Sequence, residues 1–175
     1  VLYPVDPATV GQRLLAAILG RGPVVFVEPR RMYEIDTLVL QKREKPDVQI
    51  ITFGDTVIDA VEAGNWLGTM GVSVQVIPIE DMTNLREVQD LDYDTPTIAV
   101  DMMPGNWGTS AEIAARFRRC LRLTPPFAPT PSAMRLEADY YPTVDNIARS
   151  ALMVLGRNPA QLAPIKARNG FRGPF

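Results

Sequence analysis

Hydrophobic and polar positions along the first thirty residues predict one helix followed by one strand. Asp6 and Pro7 suit the N-cap and first position of a helix, and Gly20 and Gly22 suit its end. The apolar face of this helix consists of Val10, Leu14, Ala17 and Ile18. Residues 23–28 then form a continuous apolar run up to the final glutamate, which is typical of a strand buried on both faces.

Strand and helix patterns alternate again from residue 47 onward. Strands are predicted at 47–54, 72–79 and 96–101. A helix is predicted after Asp55 and a weaker one over 83–91, while a capping box at 109–112 predicts a helix through residue 121. A last helix begins at Thr143 or Asp145 and stops at Gly156. The alternation predicts an α/β fold with three layers and a mostly parallel sheet.

Two segments lack a usable period. Residues 124–142 contain five prolines and are predicted to be irregular. Residues 157–175 hold four basic residues, no acid and several buriable apolar side chains, so we interpret them as an arm laid on a neighbouring chain. Up to Asp145 the chain carries 13 basic and 20 acidic residues, whereas the remainder carries five basic residues and no acid. An acidic body with a basic arm suits self-association.

The composition narrows the function classes. The chain has 175 residues, 46% of them hydrophobic, which is enough for one globular domain. It has no histidine, which removes the usual general base and the commonest transition-metal ligand. With one cysteine, no apolar run long enough to span a membrane and no signal-peptide pattern, a cytoplasmic protein is expected, without nucleic acid or membrane partners.

Several positions are candidates for chemistry, and each also has a simpler structural explanation. Gly105 to Gly108 precede a predicted helix and suit an anion cradle, but Trp107 suits a contact residue better. Cys120 lies among three arginines that would lower its pKa, although a half-buried core residue is favoured. The six acids of 80–94 suit calcium chemically but lack the spacing of a calcium loop, which favours a solvated face.

Four segments in order resemble the beta subunits of thiamine-diphosphate-dependent 2-oxo acid dehydrogenases, within the transketolase-like superfamily. They are DPATVGQRLLAAILGRGPVVFVEPRRMY (6–33), DVQIITFGDTVIDAVEA (47–63), GTSAEIAARF (108–117) and LEADYYPTVDNI (136–147). The resemblance implies that residues 1–33 are the last helix and strand of an incomplete pyrimidine-binding domain. Residues 34–47 would be a linker, 48–156 a transketolase C-terminal-like domain, and 157–175 an added basic arm.

The same resemblance implies that no catalytic or cofactor-binding residue lies in this chain. In the family the catalytic groups lie upstream, and another domain holds thiamine diphosphate and its Mg. We therefore expect a part of a dehydrogenase that serves subunit association, in a homo-oligomer or with an alpha-like subunit or an N-terminal half. The alternative is a structural or assembly module that kept the fold and lost the chemistry.

Two sets of residues follow from the resemblance. The loop at which some family members bind a monovalent cation corresponds to Ala17, Gly20 and Gly22, where a simple helix end is favoured. A salt-bridged corner between domains is expected at 28–31. The expected interface residues are Glu28, Arg30, Arg31, Tyr33, Trp107, Phe171 and Phe175.

Overall fold

A four-stranded, all-parallel sheet forms the centre of the protein in the computed structural model, which describes residues 1–35 and 38–165. The strands are β1 (Val48–Thr52), β2 (Val74–Pro78), β3 (Thr97–Val100) and β4 (Cys120–Leu123), in the order β2-β1-β3-β4. Both β1 and β3 lie where the sequence predicts strands, and every residue of the two is buried, including the polar Gln49, Thr52 and Thr97, as central parallel strands require. The predicted α/β fold with flanking helices is therefore confirmed.

Helices cover both faces of the sheet. The helices α2 (Thr56–Thr69) and α5 (Val144–Val154) pack together on one face, over a core that includes Ile50, Leu67 and Ile147. The shorter α3 (Thr109–Ala114) lies on the other face, where Ile51 and Phe117 belong to a second core. Because successive residues of β1 point to opposite faces, one strand supplies both cores.

The first residues of the chain pack beside this body. The helix α1 (Pro7–Leu19) begins where predicted, because the Asp6 carboxylate accepts a hydrogen bond of 2.9 Å from the Ala8 amide. The prediction that 23–28 is a strand buried on both faces is wrong for this chain. Within the described residues its strand pairing is a single parallel bridge between Phe26 and Leu2, and Val25 is 61% exposed.

Two helix predictions fail between residues 83 and 121. The weak helix at 83–91 is a single 3-10 turn (Arg86–Val88). The helix from residue 109 ends at Ala114, and β4 follows it as a fourth strand that the sequence did not predict. Pairing with β3 provides backbone hydrogen bonds along Cys120–Leu123, so tertiary contacts override the local helical pattern.

The C-terminal part also departs from prediction. A short helix, α4 (Met134–Tyr140), interrupts the segment predicted to be irregular. The last helix, α5, begins with a capping box between Thr143 and Asn146. After a 3-10 turn (Pro159–Gln161), Leu162 and Ile165 are buried against the core of the same chain, so the start of the expected arm does not lie on a neighbour. Residues 166–175 lie outside the described residues.

Candidate functional site

Asp101, which is fully buried, anchors the loop that follows β3. Its carboxylate accepts one hydrogen bond of 2.9 Å from the Met103 amide and another of 3.0 Å from the Ser110 amide. The second contact caps α3, so the predicted capping box of Thr109 and Glu112 does not form and Gly108 is the N-cap. This carboxylate already neutralises the start of α3, which leaves the anion-cradle interpretation without support.

The backbone conformation of Gly108 and the close approach of Asp101 explain why this position is a glycine. Its φ of 93° lies in the left-handed region, and a Cβ at this position would collide with the Asp101 carboxylate. Arg122 braces the same loop by donating to the Trp107 carbonyl at 2.8 Å and to the Ser110 hydroxyl. The loop is therefore fixed by buried charge and hydrogen bonds.

Trp107 presents its ring on this fixed loop. The side chain is 65% exposed and meets Phe127, which is 64% exposed, in an edge-to-face contact with ring centroids 5.5 Å apart. Tyr140 holds the Phe127 segment by donating to the Ala128 carbonyl at 2.9 Å. Large exposed aromatic side chains on a rigid frame are typical of contact surfaces. Sequence analysis identified Trp107 but missed Phe127, which lies in the proline-rich segment.

The segment containing Glu28, Arg31 and Tyr33 joins α1 to the body. Arg31 donates two hydrogen bonds, of 2.9 and 3.0 Å, to the Asp59 carboxylate of α2. This is the salt-bridged corner expected from the resemblance. The neighbouring Asp55 has its pKa raised by burial, and the hydrogen bond to Asp59 raises the pKa of Arg31. Tyr33 is 71% exposed and donates to Glu28, which raises the pKa of the Tyr33 hydroxyl.

The acids of 80–94 do not all form a solvated face. Glu80 is only 8% exposed; its carboxylate accepts a hydrogen bond of 3.2 Å from the Val5 amide and pairs with Arg13 of α1. Glu87 in turn accepts from the Glu80 and Asp81 amides, at 3.2 and 3.3 Å. Glu80 thus ties the N-terminal segment to the sheet, whereas Glu87 holds the start of its own loop, and the prediction of a solvated face is wrong for both.

The remaining candidates have structural roles. Gly20 caps α1 and donates to the Ala17 carbonyl at 3.3 Å, while Gly22 lies in the exposed bend that follows. Cys120 packs against the second core, and its burial raises the pKa of the thiol to about 11, opposite to the lowering expected from the nearby arginines. Across the described ranges no group of three or more His, Cys, Asp and Glu is placed to hold a metal ion.

Much of the apolar face of α1 is uncovered within the described part of the chain, since Leu14 and Ile18 are 41% and 70% exposed while Val10 and Ala17 are half-buried. No residue of this helix is buried, and Leu15, Ile18 and Leu19 are 57%, 70% and 74% exposed. Val24 and Val25, which follow the helix in the chain, are also exposed, by 43% and 61%. Exposed apolar side chains on one helix are typical of a protein–protein contact.

A small cavity lies at the start of α1, where this segment meets residues 28–33. Its volume is about 130 Å³. The apolar lining includes Val5, Pro7, Val10, Pro29 and Met32. Val5 and Met32 are 1% and 8% exposed, so the floor of the cavity belongs to the packed interior.

None of the helices in the part that the structure describes is long and apolar enough to cross a membrane.

Comparison with known proteins gives relatives in sequence and a neighbour in structure. The chain is 28% identical to the beta subunit of acetoin:2,6-dichlorophenolindophenol oxidoreductase of Bacillus subtilis (strain 168), over 89% of this chain and 52% of that protein. It is 32% identical to the pyruvate dehydrogenase E1 component subunit beta of the same organism, over 58% of this chain and 33% of that protein. No family model matches the chain.

A solved structure described as a split-gene transketolase in an inactive beta4 tetramer has the same fold. It superposes with a TM-score of 0.63 at 15% identity, over 89% of this chain and 56% of that one. The chain thus spans about half the length of the acetoin relative and of this structural neighbour. Together the comparisons agree with the resemblance found in the sequence: the chain is similar to the beta subunits of these two enzymes and has a transketolase-like fold.

Proposed function

We propose that this chain is the C-terminal portion of a 2-oxo acid dehydrogenase beta-subunit-like protein and that it serves subunit association. The observation that carries the proposal is the uncovered apolar face of α1, where Ile18 and Leu19 are 70% and 74% exposed. A helix of this kind is stable when another surface buries its apolar side. The partner that covers it is another copy, an alpha-like subunit, or the N-terminal half that its relatives possess.

The interface residues of the chain form two separate surfaces in this proposal. One contains α1 with Glu28, Arg30, Arg31 and Tyr33, and the other is built around Trp107 with Phe127. Arg31 supports the first surface indirectly, because its bidentate contact with Asp59 fixes the corner from which Tyr33 projects. Phe171 and Phe175 belong to the same proposal but lie outside the described residues.

The family cofactor is not assigned to this chain. Thiamine diphosphate is held through a divalent metal, and hard metals such as Mg take oxygen ligands. The sequence has no histidine, Asp101 is engaged by amides and Glu80 by Arg13 and Val5, and within the described residues no group of three or more His, Cys, Asp and Glu is placed to hold a metal ion. These residues do not fit the cofactor. We place thiamine diphosphate and its Mg in the assembled enzyme, on other chains or on upstream residues.

A structural module without any enzymatic partner is the second candidate. It is favoured by the loop after β3, in which hydrogen bonds from Arg122 and to Asp101 hold the backbone around Trp107 in place. In this case the chain assembles with itself or with structural proteins and works at a cytoplasmic location.

Native mass spectrometry of the complex purified from its source tests both candidates. Association predicts that the chain of 19.3 kDa, or a longer chain that contains it, travels in a complex. Bound thiamine diphosphate with alpha-like chains would identify a dehydrogenase part, whereas a cofactor-free assembly would identify the structural module. A monomer at all accessible concentrations would contradict the proposed association.

A further inference from the structure

The cavity beside α1 has the size of one aromatic ring. Its volume of about 130 Å³ is close to that of a cavity of roughly 150 Å³ that is known to hold benzene. Val5, Val10 and Met32 contribute to an apolar lining that offers a ring no hydrogen-bonding partner. Tyr33, also at the cavity, is 71% exposed and leaves the approach to it open within the described residues.

The rim of this cavity carries negative charge. Glu28 and Asp6 both line it, and Glu28 accepts a hydrogen bond from the Tyr33 hydroxyl. The Asp6 carboxylate caps α1 by accepting a hydrogen bond from the Ala8 amide and lines the opening. Arg30 is the nearby cation. Its positive charge lowers the pKa of the Tyr33 hydroxyl, whereas Glu28 raises that pKa. An aromatic side chain followed by a basic residue would therefore match both the interior and the rim.

The C-terminal segment of this chain contains such a pair. Phe171 is followed by Arg172 and flanked by Gly170 and Gly173, which permit a close approach of the backbone. Phe175 is preceded by Pro174, which is not basic. From Arg157 onward the chain carries four basic residues and no acid, in contrast to the acidic body.

We propose that the cavity beside α1 receives Phe171 of a second copy of this chain, with the partner copy's arginine from position 172 pairing with Glu28. The inference rests on the proposed function in subunit association and names the partner and the contact. Continuity supports a second copy, because the cavity adjoins the exposed face of α1 that the proposed assembly covers. The charge difference between the C-terminal segment and the body supports the same pairing.

A charge swap in the full chain tests the pairing. We expect Glu28→Lys and Arg172→Glu each to weaken self-association about tenfold, since each places like charges together. The double variant restores association to within about threefold of the wild type, because the pair is re-formed with opposite signs. Arg157→Glu is the matched control, an exposed arginine in the same basic region, and leaves association unchanged. Sedimentation velocity over a concentration series measures the wild type and all four variants.

Photo-cross-linking distinguishes a second copy from the same chain. Phe171 is replaced by p-benzoyl-phenylalanine, and ¹⁵N-labelled and unlabelled proteins are mixed before irradiation. We expect cross-linked peptides that contain Met32 and join one labelled and one unlabelled chain. Cross-links within single chains only, or none near Met32, would overturn the inference.

The outcomes separate this inference from the proposed function. If the protein associates and neither charge variant weakens it, the pairing with Glu28 is wrong while association stands. If the single variants weaken association but the double variant fails to restore it, the pairing with Glu28 is wrong. If the wild-type protein never associates, the proposed function itself fails.

Discussion

Two helices of similar length in this molecule have opposite surroundings. The helix α5 has 11 residues and buries six of them against the sheet and α2, whereas α1 has 13 residues and buries none. Both carry an apolar face in the sequence. The difference shows that an amphipathic pattern predicts a helix and its apolar face. The pattern does not show whether the surface that covers this face lies in the same chain.

The contrast predicts unequal costs for equal truncations. Ile147→Ala in α5 should destabilise the isolated chain by about 2–5 kcal/mol, because Ile147 is fully buried and its loss leaves a cavity. Leu15→Ala in α1 should change the same free energy of unfolding by less than about 0.5 kcal/mol. Urea denaturation at low protein concentration measures both. Equal losses for the two variants would remove the distinction between the helices.

The same comparison holds for two glycines. Gly108→Ala should cost about 1–3 kcal/mol, because its φ of 93° and the adjacent Asp101 carboxylate leave no room for a methyl group. Gly11→Ala in α1 should instead raise stability by about 0.5–1 kcal/mol, since Gly11 has nothing within 4 Å of an added Cβ. Thermal unfolding of the two variants gives the sign of each effect. Stabilisation by Gly108→Ala would contradict the described loop.

The salt bridge between Arg31 and Asp59, which joins the N-terminal segment to the body, should have a smaller effect on the free energy of unfolding. Arg31→Gln should lower stability by about 1 kcal/mol, because it removes a bidentate contact with the partly buried Asp59. Arg118→Gln, which breaks an exposed pair with Asp94, should cost about 0–0.5 kcal/mol. Chemical denaturation in low and high salt compares the two. A larger loss for Arg118→Gln would show that the corner at Arg31 is not the stronger tie.

The smallest expected effect depends on pH. Arg149 and the Ile165 amide hold the pKa of Asp145 below its usual value. A depressed carboxyl pKa contributes stability that is present above the unfolded-state pKa of about 3.9 and is lost as the pH falls through the folded-state value. Asp145→Asn should therefore be less stable than wild type at pH 7 and nearly equal to it at the acid end of the transition. A constant difference across this range would contradict the assignment.

The sequence predicts the regular parts of this fold because their patterns are local. The buried strands β1 and β3 follow from the alternation of strand and helix patterns after residue 47, and the helices α1 and α5 follow from capping residues such as Asp6 and Thr143. The edge strand β4 was missed, because its four half-buried residues pair with β3 on one side and carry no strand period of their own. Its formation depends on the finished sheet.

The candidate site was predictable only in part for a similar reason. Trp107 was identified from its place in a glycine-rich loop, but the pairing with Phe127 joins residues twenty positions apart in sequence. The buried carboxylate of Asp101 had one signal, since an acid that directly follows an apolar strand often serves the loop after it. The roles of Glu80 and Arg13 depend on long-range contacts that no local pattern contains.

Hydrogen exchange of α1 as a function of protein concentration tests the central claim most directly. The account predicts that the amides of α1 gain protection as the protein associates, while those of α5 are protected throughout. In parallel, native mass spectra should show complexes heavier than the 19.3 kDa chain. If α1 exchanges equally at every concentration in a protein that remains a monomer, its apolar face is not an association surface and the account is contradicted.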